Sequence, residues 1–244
     1  LYAPQLEGFL TANGVGIAGV RRDPEAATGI ALIVVDANGE NTIVAIPGAN
    51  ALLEPSTVTA VPQQGDVLLA QFETPFATTA AFFAAGREVG AVTVLNAAPA
   101  ADPGDLLALT DVLVINQIEL AACTGEPRPG AAAAEVGAAA RRLQRRGPGV
   151  VVVTLGRRGV IAVDGPVRYE LAAHRVVATD ATGAGDCFTG SLAARLAAAD
   201  PFDEALAYAN AAASVCVERP GAGPSMPTVP EVRTRLSEPP WPHR

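Results

Sequence analysis

The sequence predicts an α/β protein built as a doubly wound sandwich, a mostly parallel sheet with helices on both faces. Three observations carry that prediction. From residue 66 onward short apolar runs alternate with helical stretches, the succession in which helices serve as crossovers between parallel strands. Residues 150–153 are apolar without interruption, as a central strand covered on both faces requires. The chain has 244 residues, 50% of them hydrophobic, enough for one sizeable core.

The elements follow in order. A helical stretch over residues 5–13 ends at Gly14. A fold of this class ordinarily begins with a strand, and the chain starts at Leu1 rather than Met, so an N-terminal piece is expected to be missing. Residues 30–35 and 42–46 are β-rich runs, and the Asn38-Gly39 pair between them is a strong hairpin signal, so they predict an antiparallel ribbon. Then come a strand over 67–72, a helix over 74–89, a strand over 92–95, a strand over 112–115 and a helix over 117–123. An Ala-rich helix over 131–146 carries no functional signal beyond its helix propensity. It leads into the strand over 150–153. Two or three short strands are predicted, around 160–163, 167–171 and 175–178, followed by helices over 184–199, 203–218 and 229–236. No internal repeat interrupts this series.

Composition removes whole classes of chemistry. All 17 basic residues are Arg, so a P-loop lysine, a pyridoxal Schiff base and a lysine general base are impossible in this chain. Net charge is −8, and no basic stretch exceeds Arg141-Arg142 or Arg145-Arg146, which argues against nucleic acid or an anionic membrane as partner. No apolar run reaches membrane-spanning length and no signal segment opens the chain, so the expected location is the cytoplasm. Cys123, Cys187 and Cys216 are far apart and odd in number, the pattern of buried free thiols in a reducing compartment. His174 and His243 are the sole imidazoles, and His243 sits in a Pro-rich tail, so zinc clusters and Ser-His-Asp triads are poorly supported. Catalysis is left to carboxylates, backbone amides or Arg.

The sharpest signal runs through Asp180-Ala181-Thr182-Gly183-Ala184-Gly185-Asp186-Cys187-Phe188, where a strand gives way to a helix. Gly183 and Gly185 let backbone approach a ligand closely, and free N–H groups at a helix start attract phosphate. Asp186 would then stand beside a transferring phosphoryl group, able to take a proton from an attacking hydroxyl. Read alone, the segment is equally a turn with Asp186 capping the helix. Asn116 and Glu119 could serve a phosphate oxygen and hydrated Mg²⁺, or could be an N-cap and an unrelated helical carboxylate. No G-x-G-x-x-G follows an early strand, which sets aside a dinucleotide-dependent oxidoreductase.

The segment 180–188 resembles the second signature of the ribokinase (phosphofructokinase-B) family of carbohydrate kinases, differing mainly by Ala181 in place of a threonine. The resemblance extends in order from Leu6 to about Arg235. It implies a ribokinase-like domain over 1–244, with a small antiparallel β lid at about 28–47 that forms a homodimer contact. Within it, Gly183, Ala184 and Gly185 supply the anion hole and Asp186 the catalytic base, also in contact with substrate. Glu73 lines the sugar site, and Asn96-Ala97-Ala98-Pro99-Ala100 forms a loop at the active-site edge. Nucleotide contacts fall on Asn116, on Thr154, Leu155, Gly156, Arg157, Arg158 and Gly159, on Gly185 and on Asn210. Glu119 would organise Mg²⁺, while Asp180, Thr182, Cys216, Arg219, Gly221 and Ser225 match a site for activating K⁺.

The activity so implied is transfer of the ATP γ-phosphoryl group to a primary hydroxyl of a sugar, with D-ribose at O5 favoured. Fructose, 2-keto-3-deoxygluconate and nucleosides stay open. The family's first, Gly-Gly-rich sugar-gripping signature has no counterpart, so a noncatalytic nucleotide-binding remnant is the alternative, and the chain is expected to bind ATP weakly and ribose hardly at all.

Overall fold

The computed structural model describes residues 2–35, 41–126 and 132–238. The chain divides into two compact units, Leu1–Val61 with Phe72–Phe82, and Pro62–Gln71 with Phe83–Arg244.

In the first unit, α1 (Ala3–Ala12) starts with a proline in its first turn, where the missing N–H costs nothing. The helix buries none of its residues, and Leu6 and Phe9 are exposed. The predicted ribbon is present as β1 (Ile30–Val35) and β2 (Asn41–Ile46), paired antiparallel with Ile30 opposite Ile46 and Leu32 opposite Val44. Those four side chains share one face by the two-residue period of a strand, and all four are exposed. The Asn38-Gly39 turn lies outside the described residues. α2 (Phe76–Glu88) begins in this unit.

The second unit holds a six-stranded sheet in the order β3 (Val67–Ala70), β4 (Val92–Asn96), β5 (Val112–Asn116), β6 (Val150–Thr154), β7 (Val160–Asp164) and β8 (Val167–Leu171). Strands β3 to β6 run parallel, and β7 and β8 are antiparallel additions made through tight turns. The β6–β7 turn depends on Gly159, whose φ is 92° and whose added Cβ would stand 2.0 Å from the Leu171 carbonyl oxygen.

Helices cover both faces, as the near-continuous apolar strands demand. Val94, Val112, Val114, Val152, Val160 and Ala162 pack against Phe188 and Leu192 of α5 (Ala184–Ala197) and Ala205, Leu206 and Ala209 of α6 (Phe202–Cys216). Leu113, Ile115, Val151, Val153, Ile161 and Val163 alternate with them and are equally buried, on the side met by α3 (Gln117–Thr124) and α4 (Ala133–Gln144). α7 (Val229–Leu236) closes on α6 through Val232. Cys123, Cys187 and Cys216 are buried free thiols, as expected. No described helix is long and apolar enough to cross a membrane.

One expected element is absent. Residues 175–178 form no strand, although Val176 and Val177 favour one. Val177 is 85% exposed and the segment has no ladder partner beyond β8, so its β propensity finds no pleated surface to pack on.

Candidate active site

The site grows from the carboxyl ends of the parallel strands, where α/β sheets carry their ligands. Four polar side chains stand in a row there: Gln71 just beyond β3, Asn96 closing β4, Asn116 closing β5 and Thr154 closing β6. Asn96 is buried and donates from Nδ2 to the Val114 carbonyl at 3.0 Å. Gln71 donates from Nε2 to Asn96 Oδ1 at 3.3 Å and to Asp186 Oδ1 at 2.7 Å. The strand ends are thereby linked to the first turn of α5.

That helix starts without a side-chain cap. Gly183 takes the N-cap place with φ 77°, and an added Cβ would meet Ala222 at 3.1 Å and the Met226 methyl at 3.4 Å. Two constraints therefore call for glycine there, the left-handed backbone and the close approach of a second loop. The Ala184 amide is used locally, donating to the Ala181 carbonyl at 3.2 Å. Among the described residues no acceptor meets the amides of Gly185 and Asp186, so two donors point out of the helix start with the positive end of its dipole behind them.

Gly185 and Asp186 face different spaces. Gly185 and Ala184 border a cavity of about 680 Å³, within the size range of small-molecule sites. Asp186 lines a separate cavity of about 340 Å³ with Gln71, Leu69, Ala70 and Thr189. The larger cavity collects Thr154, Gly156, Arg157, Arg158, Gly159 and Asn210 from the predicted nucleotide set. Leu155 and Asn116 are not among its lining residues. The Leu155 amide instead donates to the Gly159 carbonyl at 2.8 Å, closing the turn. Asn210 is fixed from behind, donating to the Ala172 carbonyl at 2.8 Å. Arg158 reaches α3 by donating to Gln117 Oε1 at 2.6 Å.

Asn116 and Glu119 form a reciprocal cap of α3. Asn116 Oδ1 accepts from the Ile118 and Glu119 amides at 2.7 and 2.9 Å. Glu119 accepts from the Asn116 amide and from Asn116 Nδ2, both at 2.7 Å. Burial pushes the Glu119 carboxyl above its ordinary value against the Asn116 bond, and the nearby Asp186 charge adds to the rise.

Of the six residues expected around a monovalent cation, Asp180 and Thr182 lie in the segment before α5, Cys216 ends α6, and Arg219, Gly221 and Ser225 lie in the segment after it. Asp180 accepts from the Thr182 amide at 2.9 Å and from the Gly221 amide at 2.8 Å. The Thr182 hydroxyl first, then the Gly221 and Thr182 amides, hold its carboxyl below the usual value. Thr179 and Asp180 donate their amides to the Val217 carbonyl. The Arg219 amide donates to the Cys216 carbonyl at 3.1 Å, and Ser225 Oγ lies 3.1 Å from Cys216 Sγ. Among the described residues the carbonyls of Thr182, Arg219 and Gly221 receive no backbone donor. Glu73 lies in the first unit, exposed in the turn before α2.

Sequence reasoning passed over Gln71, His174 and Ser214. Gln71 directly follows a strand, a placement that could have marked it. His174 and Ser214 line the large cavity from the 173–178 segment and from α6, and His174 Nδ1 is buried without a hydrogen-bond partner among the described residues. No local pattern announces either. Burial, and second to it the charge of Arg235, lower the His174 pKa from its ordinary value.

An uncapped helix start with a carboxylate beside it, bordering a cavity at the carboxyl edge of a parallel sheet, is an arrangement suited to holding an anionic group and moving a proton next to it. A model of the pfkB family of carbohydrate kinases matches residues 2–229. Ribokinase of Staphylococcus aureus (strain COL) is 33% identical over 232 residues, covering 93% of this chain and 75% of the relative. Deoxyribokinase of Salmonella typhi is 29% identical over 233 residues, covering 93% of this chain and 76% of the relative. The solved structure of Arabidopsis thaliana ribokinase complexed with ribose and ATP matches with a TM-score of 0.80 at 28% identity, covering 93% of this chain and 74% of that one. The chain belongs to the pfkB family of carbohydrate kinases, phosphotransferases with an alcohol group as acceptor.

Proposed function

We propose that the full-length protein transfers the γ-phosphoryl group of ATP to a primary hydroxyl of a sugar, D-ribose at O5. The observation that carries this reading is the placement of two consecutive residues: Gly185 borders the cavity of about 680 Å³ and Asp186 the cavity of about 340 Å³. Nucleotide in the first and sugar in the second would meet at the start of α5. The free amides of Gly185 and Asp186 would hold the transferring group, where charge builds in the transition state. Asp186 would take the hydroxyl proton as the sugar oxygen bonds to the γ-phosphorus and the bridging oxygen leaves with ADP. Thr154, the 156–159 turn and Asn210 would line the nucleotide.

Divalent and monovalent cations fit the donor sets in different ways. Each Glu119 oxygen already accepts a bond from Asn116, which suits contact with Mg²⁺ through water rather than direct ligation. Mg²⁺ would neutralise phosphate charge. A large monovalent ion wants many oxygens of little charge, and the carbonyls of Thr182, Arg219 and Gly221 beside Asp180 and Ser225 have that character. K⁺ would there brace the loop leading into Gly183.

Ribose is preferred over fructose, 2-keto-3-deoxygluconate and nucleosides because the lid segments and the 96–100 and 209–213 segments together look most like ribokinases. The exposed apolar face of Ile30, Leu32, Val44 and Ile46 supports a homodimer through the lid. The three buried free thiols fit a reducing, cytoplasmic setting. Phosphorylation assays on full-length protein with ribose, 2-deoxyribose and fructose test the acceptor: ribose should give the highest kcat/KM by at least about tenfold. A preference for either competitor would replace ribose in this reading.

A further inference from the structure

We propose that Gln71 is a positioning residue for the base: its side-chain amide clamps Asp186 Oδ1 and leaves Oδ2 turned to the acceptor hydroxyl. The inference rests on the reading of Asp186 as that base. Asp186 is exposed in the first turn of a helix that has no side-chain cap, so nothing on its own helix fixes its rotamer. The restraint comes from across the sheet. Val114 of β5 offers its carbonyl to Asn96 Nδ2 at 3.0 Å, Asn96 Oδ1 takes one proton of Gln71 Nε2 at 3.3 Å, and Asp186 Oδ1 takes the other at 2.7 Å. This strut starts on central backbone, passes through a buried Asn96 and ends on the carboxylate.

Both neighbours of the Gln71 amide are acceptors, so its NH₂ group has to face them. A glutamate at 71 would have the same shape and the wrong charge. Gln71 also lines the cavity of about 340 Å³ together with Asp186, the side from which a hydroxyl would approach. The Asp186 charge raises the carboxyl of Glu119, from α3, and the thiol of its neighbour Cys187. A carboxylate introduced at 71 would therefore join two already present.

The test compares Gln71→Leu and Gln71→Glu in full-length protein. Gln71→Leu should lower kcat by about 10- to 100-fold, as loss of orientation does, with KM for ATP and sugar changed by less than about threefold. Gln71→Glu should shift the acid limb of the kcat–pH profile upward by about one pH unit, since like charge disfavours the ionised base. The titration midpoint of Asp186, followed by carboxyl ¹³C NMR without turnover, should move the same way. A purely structural role would lower thermal stability in both variants and leave limb and midpoint in place. That result, or a Gln71→Leu kcat within about threefold of the unaltered protein, overturns the proposal. Asp186→Asn, measured alongside, separates the two ideas: undiminished turnover there sinks the base itself, whereas lost turnover there with indifferent Gln71 variants sinks only the clamp.

Discussion

α3 and α5 both begin in the second unit, and they treat their first amides in opposite ways. At α3, Asn116 Oδ1 takes two amides and Glu119 reaches back to Asn116, so the helix start is closed by its own side chains. At α5, Gly183 offers no side chain and the amides of Gly185 and Asp186 keep no acceptor among the described residues. A cap is worth about 1 kcal/mol, and α5 forgoes it. The closed start is a stability device, and the open one leaves donors for an anion.

Changes at the two helices should therefore separate activity from stability. The larger effect of the two helix starts is expected at α5: Gly183→Ala sets a Cβ on a left-handed backbone 3.1 Å from Ala222, and displacing the amides should cut phosphoryl transfer by about 10². Steady-state assay of the refolded variant checks it, and near-normal turnover would dissolve the contrast. At α3, Asn116→Ala should cost about 1 kcal/mol in denaturant unfolding.

Smaller still is the pH response of Glu119. Its carboxyl is raised by burial, so folding favours the protonated form, and stability falls as pH climbs from the ordinary 4.5 through the raised folded value. Denaturation curves of Glu119→Gln across that window should lack this component. The least effect is expected from thiol reagents, because burial pushes Cys123 and Cys187 up to about 12 and hides them. Labelling of folded protein at pH 8 should be slow at both.

The open helix was legible in the sequence because its parts are consecutive: two glycines, an intervening Ala184 and Asp186. The same holds for the Asn116–Glu119 cap, where both the capping and the metal-organising readings stood open and the hydrogen bonds display the first. Central strands were legible for a similar reason, since an unbroken valine run has few other uses. Long-range partnerships were not. Gln71 and Asp186 are 115 residues apart, and only the sheet order brings them together. Residues 175–178 misled by propensity, because whether two valines form a strand depends on a neighbouring strand that local sequence does not specify. The large cavity draws its walls from the β6–β7 turn, the 173–178 segment, α5 and α6, and His174 and Ser214 gain their place there from folding alone.

The central claim is that Asp186 accepts the hydroxyl proton while the amides around it hold the phosphoryl group. Asp186→Asn keeps size and backbone and removes the base. In full-length protein it should lower kcat for transfer from ATP to ribose by about 10²- to 10⁴-fold, with ATP affinity by calorimetry changed less than about threefold. Turnover within about threefold of the unaltered protein would contradict the account.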